Sequence, residues 1–291
     1  MNHEIRNQIL GLWPEVLILA LLVPLGFQRP DKAAIDRWAV SYEVPSEGPN
    51  PESIRRYLTR TSRRRFAFAL VGIAFSVLMN GFVTNPPVWS NVWLYAVAGY
   101  LVGAIVSEAT LPGPGRGAAP SAVLSPRTFT SYLPRWALLA LASLPIAVVL
   151  LVVFFATISP PRLAGLPSVR VLVGVAVVCT FFAVVVWLAM RAVVRRPQLV
   201  ATTDLVELDD AIRSSSLHAL AGAAVTLELM LLGVVLSQVQ GAISVTGKYP
   251  HLDFLTSFLA LSTLPMALAS WIILGHPQKW RSRRSVVHRP S

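Results

Sequence analysis

The sequence predicts an all-α, polytopic integral membrane bundle of seven transmembrane helices, with the N-terminus outside and the C-terminus in the cytoplasm. Three observations carry that prediction. Of 291 residues, 54% are hydrophobic and only 13% charged, against about 25% charged in an average soluble chain. The apolar residues gather in seven runs of the length a helix needs to cross a hydrocarbon core about 30 Å thick. The 25 Lys and Arg residues are spread unevenly between those runs. The mean hydropathy of +0.61 agrees. Together these values exclude an ordinary water-soluble enzyme. They also exclude a disordered chain, which is poor in apolar residues and rich in charge.

The runs are 9–27, 66–83, 88–107, 136–158, 168–190, 219–239 and 254–275. A spanning helix satisfies its own backbone hydrogen bonds, which lipid cannot do. Barrel strands would be about 10 residues of strict alternation; these runs are longer and apolar on both parities. The first run is interrupted by Pro14 and Glu15. Gln28-Arg29-Pro30 follows it, with no small-x-small cleavage site, so it reads as a span and not as a signal peptide. The whole of 1–275 reads as one membrane domain, with loops 28–65, 108–135 and 191–218 and a basic tail, 276–291, on the cytoplasmic side.

Basic residues near helix ends favour the cytoplasm. Loop 28–65 holds nine of them, and that loop with 108–135, 191–218 and the tail holds 21 of the 25. The intervening segments hold four. Trp13, Trp89 and Trp93 fall near outer ends and Trp136 and Trp187 near inner ends, as amphipathic rings at headgroup level should. Lysine is rare (Lys32, Lys248, Lys279) beside arginine. This bias suggests a GC-rich bacterial genome, hence a bacterial inner membrane. The single cysteine, Cys179, lies inside an apolar run; no disulfide framework is possible, and it reads as a small packing residue.

In loop 28–65, Asn50-Pro51-Glu52 has the residues of a helix start: cap, first-turn proline and early acid. The helix 51–65 runs toward the second span and carries Arg55, Arg56, Arg60, Arg63, Arg64 and Arg65. This is a candidate collar for anionic lipid or a partner protein; the plainer alternative is an anchor that fixes topology. No nucleic-acid motif accompanies the charge, so nucleic acid is not an expected partner. The stretch Pro112-Gly113-Pro114-Gly115-Arg116-Gly117 reads as a linker, and no Gly-Lys-Ser/Thr follows to make it a phosphate loop. Segment 204–213 places apolar residues at 205, 208 and 212, the spacing of one helical face. It is expected to form a short interfacial or docking helix. Its acids, Glu207, Asp209 and Asp210, lack the spacing of a calcium loop. They are candidate docking groups or, more plainly, salt-bridge partners of Arg195, Arg196 or loop 28–65.

Ionisable groups at membrane depth are costly and are functional candidates by default. Glu228 sits at the middle of the sixth run and Glu15 in the first, with no Lys or Arg within the core of any run. Each acid is therefore expected to be protonated, cation-bound or facing a wet cavity. Ala221 and Ala224 allow close helix approach beside Glu228, with Asn80, Asn91, Tyr95, Tyr100 and Thr180 as candidate partners. The coupling set for a substrate or ion is then Glu228, Glu15 and Asn80. The alternative is one interhelical hydrogen bond. Gly99 and Gly103 form a Gly-x-x-x-Gly expected to mark a tight helix contact, and Pro145 and Pro265 are candidate kinks.

No His-Glu-x-x-His, Walker, kinase or Gly-x-Ser-x-Gly motif occurs. No catalytic residue, cofactor or metal is therefore expected. The expected function is transport-related: a permease-like subunit, with a separate ATPase if it is energised, or a small secondary transporter. A non-catalytic scaffold recruiting cytoplasmic partners is the alternative.

Overall fold

The computed structural model of the chain describes residues 30–42, 44, 51–82, 92–110, 128–158, 169–196, 203–246 and 250–275. Among these there are seven α-helices and no strand: α1 (Lys32–Ser41), α2 (Pro51–Phe82), α3 (Val92–Ala109), α4 (Arg135–Ile158), α5 (Val169–Arg195), α6 (Thr203–Thr246) and α7 (Pro250–Gly275). A single 3-10 turn, Phe129–Ser131, precedes α4.

Five segments of these helices are long and apolar enough to cross a membrane: Val92–Ala109, Arg135–Thr157, Val169–Arg195, Glu207–Val245 and His251–Leu274. They coincide with five of the seven expected runs. The run 9–27, with Glu15, lies outside the described residues. The run 66–83 falls on α2, whose side chains are described only as far as Leu78. Outward faces are apolar: Leu139 on α4, Phe181 on α5 and Leu261 on α7 are 69%, 62% and 78% exposed. Such a surface suits lipid and not water.

α6 is the core helix. It packs on α3, α4, α5 and α7, and 72% of its apolar window is buried. At 44 residues and a rise of 1.5 Å each it is about 66 Å long, well beyond a bilayer core. Segment 204–213 is therefore not a separate short helix, which corrects the expectation. It is the first turns of α6, continuous with the span because no Gly or Pro interrupts it. Its apolar face is covered from within the chain. Leu208 and Ala211 are buried with Tyr42, Val44 and Ile54, and Trp38, Leu58 and Ile212 pack around them. This small second core holds α1 against the start of α2. Asp31 caps α1 by accepting from the Ala34 N–H at 2.7 Å, and Trp38 packs its ring on Tyr42 and Tyr57.

Two antiparallel contacts organise the rest. α2 and α3 approach backbone to backbone. Gly72 meets the Tyr95 main chain, Gly99 the Phe68 main chain, and a Cβ on Gly103 would stand 2.7 Å from Arg65 Cα. Only glycine permits such proximity. α6 and α7 meet in the same antiparallel sense. Gly233 faces Thr263, and the Thr226 hydroxyl donates to the Ala267 carbonyl at 3.2 Å. α4 and α7 run unbroken through Pro145 and Pro265.

Candidate functional site: a polar cluster at one end and a lone carboxyl inside

The end of the bundle where α2 enters and α3 leaves is built by its arginines. The last carbonyls of a helix lack partners and carry partial negative charge, so cations settle there. Arg60 donates to the Thr110 carbonyl at 3.0 Å, and Arg64 to the Thr110 hydroxyl; both close the end of α3. Arg213, 1% exposed, does the same for α5. It donates to the Arg196 carbonyl at 2.5 Å and reaches that of Val193 at 3.4 Å, while Asp209, one turn earlier, holds its guanidinium at 2.7 Å. Asp210 accepts from the Tyr132 hydroxyl at 2.6 Å. Asp209 and Asp210 thus bond within the chain.

Arg65 points inward. Its Nη2 stands 3.6 Å from Glu108 of α3, and the two side chains are 11% and 6% exposed. Tyr57 lies beside them and shares a hydrogen bond of 3.2 Å with Ser216 of α6. Burial, and behind it the Glu108 carboxylate, holds the Tyr57 phenol above its usual range. His218 contacts the Ser214 carbonyl through Nδ1 at 2.8 Å; a carbonyl only accepts, so Nδ1 carries the proton. A cavity of about 120 Å³ opens among Arg65, Tyr42, Tyr100, Ser215, His218, Gly222, Ala223 and Trp271. Arg55, Arg56 and Arg63 remain exposed, with Arg56 bridging to Glu52 on its own helix at 3.1 Å. The expected six-arginine collar is therefore two sets: Arg60, Arg64 and Arg65 engage α3, Arg60 while remaining exposed, and Arg55, Arg56 and Arg63 make up the other.

Glu228 is buried, at 2% exposure, on the central helix. Neither carboxyl oxygen has a hydrogen-bond partner among the described residues. The expected partners are engaged elsewhere: Thr180 donates to the Ala176 carbonyl of its own helix, Tyr95 packs on Phe75, and Tyr100 packs on Trp271. The Asn80 side chain, Asn91 and Glu15 lie outside the described residues. Glu228 is within electrostatic reach of the Cys179 thiol on α5. An apolar cavity of about 490 Å³ lies alongside, between α3, α5 and α6, lined by Leu94, Tyr95, Val175, Phe182, Leu227 and Leu231 among others. The polar cavity at the arginine end reaches only to Ala223 on α6, five residues or about 7.5 Å of helix rise short of Glu228.

A buried polar atom with no partner costs about 1–3 kcal/mol, more when charged, and asks for an explanation. Such atoms concentrate at two places: Arg65 with Glu108, and Glu228. Sequence reasoning found Glu228 and missed Glu108. Glu108 directly follows an apolar run just as Arg65 directly precedes one, and a hairpin of two spans brings such positions to one level. Arg213 and His218 gave no comparable signal, since their roles depend on where α5 ends against α6. Among the described residues no group of three or more His, Cys, Asp or Glu side chains converges as a metal site requires.

No protein-family model, curated protein or solved structure matches this chain.

Proposed function

We propose that this protein is a transport-related membrane protein, either a small secondary transporter or a permease-like subunit, with Glu228 as its proton- or cation-coupling group. One observation carries the reading: a carboxyl fully enclosed on the central helix with both oxygens unpartnered. A group kept only to join two helices would be hydrogen-bonded to one of them. A group that exchanges a proton or cation must lack a permanent partner. The arginine end then faces the cytoplasm, following the bias of basic residues, and its cavity is the inner vestibule. The exposed Arg55, Arg56 and Arg63 are the contact points for anionic lipid or for a separate ATPase subunit.

A second reading, a scaffold without transport, is favoured by one feature: the polar cavity stops short of Glu228. The two readings separate by carbodiimide labelling of the purified protein in liposomes, read by mass spectrometry. Transport predicts modification of Glu228 that a coupling cation or alkaline pH slows. An unreactive Glu228 under every ionic condition supports the scaffold.

A further inference from the structure

One face of α5 is exposed along most of the helix. Val177, Phe181, Val184 and Leu188 lie on it, and their alternating spacing of four and three residues keeps them on one side of a helix. The same spacing carries the face on to Arg191 and Arg195, both exposed. From Val177 to Leu188 the helix rises about 17 Å, close to half of a hydrocarbon core about 30 Å thick. An apolar stripe one leaflet deep thus ends in two arginines one turn apart, at the arginine end of the bundle.

The fold does not consume these two arginines. Arg213 already binds the carbonyls of Val193 and Arg196 at the end of α5. Neither Arg191 nor Arg195 enters an ion pair among the described residues. Both line a cavity of about 450 Å³ between α5 and the turn in front of α4. A water's share of liquid volume is about 30 Å³, so the space takes a phosphate together with the glycerol it is joined to. The rest of the wall is largely apolar. It is formed by Trp187, Leu188 and Val194 of α5 and by Phe129, whose ring stands edge-on to Trp187 at 5.3 Å between centroids. No carboxylate is among the described residues that line it.

We propose that this cavity seats the headgroup of one anionic phospholipid, with its phosphate between Arg191 and Arg195 and one acyl chain along Leu188, Val184 and Phe181. The paired N–H donors of a guanidinium match phosphate oxygens. The apolar wall and the stripe beyond it match the glycerol and the chain, which a free phosphate lacks. Basic pockets at the level of the headgroups bind lipids in this way. The site is separate from Arg55, Arg56 and Arg63, and the proposal is independent of transport through Glu228.

The test places the full chain in phosphatidylcholine nanodiscs with a trace of phosphatidylglycerol that carries a photoactivatable diazirine on one acyl chain, near its carbonyl. After illumination, labelled peptides are read by mass spectrometry. Label is expected to gather on residues 181–188, and to be displaced by unlabelled phosphatidylglycerol and not by inorganic phosphate. Arg191→Gln with Arg195→Gln changes two exposed side chains and leaves the packing intact. It is expected to lower this labelling by about tenfold or more, to the level given by phosphatidylcholine bearing the same diazirine. Arg55→Gln with Arg63→Gln removes the same charge elsewhere and is expected to leave the labelling of α5 unchanged. Absence of label on α5, or equal label from the two headgroups, overturns the proposal. So does an equal loss in the two double variants, which assigns the attraction to the general surface field. Displacement by inorganic phosphate assigns a free-ion site and overturns it as well.

Discussion

Arg65 of α2 and Glu108 of α3 face each other at 3.6 Å at one end of the glycine-lined contact between their helices. The contact and the pair depend on each other. Gly103 brings the α3 backbone against Arg64 and Arg65, and Ser107 and Glu108 follow one turn later. A charge taken out of water is tolerated only when an opposite charge accompanies it.

Removing one member of this pair is therefore costly and removing both is not. Arg65→Ala is expected to destabilise the protein by roughly 3–5 kcal/mol, because Glu108 is left as an unpaired buried charge, whereas Arg65→Met with Glu108→Leu recovers most of the loss. Thermal unfolding in detergent, followed by circular dichroism, compares the three proteins. Equal losses in the single and double variants would show that the pair contributes nothing beyond side-chain packing.

The helix contact itself is tested at Gly103. A Cβ there meets Arg65 Cα at 2.7 Å and the Arg64 carbonyl at 2.9 Å, both main-chain atoms that cannot rotate away. Gly103→Val is expected to prise α2 from α3 and to lose folded protein on size exclusion. Gly174, with nothing within 4 Å of the site of a Cβ, is the control: Gly174→Ala is expected to leave the elution profile unchanged.

Arg213 ties the end of α5 to the start of α6 through Asp209 and two carbonyls. Arg213→Gln leaves a carboxylate and helix-end carbonyls unpartnered, and is expected to cost roughly 3–5 kcal/mol. Arg213→Lys keeps the charge but loses the fork that reaches both partners, so an intermediate loss is expected. Proteolysis near 196–203 under native conditions, faster in both variants, reports the same loosening locally.

Tyr57 gives a pH prediction. Burial raises its phenol above the ordinary value of 10.0, so the folded state holds its proton more tightly than the unfolded state. Stability from this group is complete below the unfolded value and is lost as pH rises through the folded one. Unfolding midpoints should therefore fall above about pH 10. Tyr57→Phe should flatten that alkaline fall, while losing roughly 0.5–1.5 kcal/mol at neutral pH with the Ser216 hydrogen bond. An unchanged alkaline profile in Tyr57→Phe would assign the fall to other groups.

Composition and run length made the all-helical, apolar architecture legible, because the period and length of a spanning helix are imposed by the bilayer itself. The glycines of α3 were legible for a similar local reason: a missing side chain marks a close approach whichever partner supplies the other side. The small core of Tyr42, Val44, Ile54, Leu208 and Ala211 was not. The periodicity of 204–213 announced an apolar face but not its partners, which come from residues more than 150 positions away. The basic cluster 55–65 read as one surface because charge count is local. Which of its arginines engage the end of α3 is decided by where α3 ends, which is tertiary. Glu228 was legible as an anomaly, and its lack of any partner emerged only from the packing around it.

The measurement closest to the central claim is ion flux through Glu228. Wild-type protein and Glu228→Gln are reconstituted at equal density in liposomes carrying an internal pH dye, and an outward potassium gradient with valinomycin sets the potential. Wild type is expected to admit protons, or a monovalent cation on replacement of the bath, well above empty liposomes. Glu228→Gln, which keeps size and shape and removes the ionisable group, is expected to fall to the empty-liposome rate with folding intact. Equal flux in the two proteins would contradict the coupling role of Glu228.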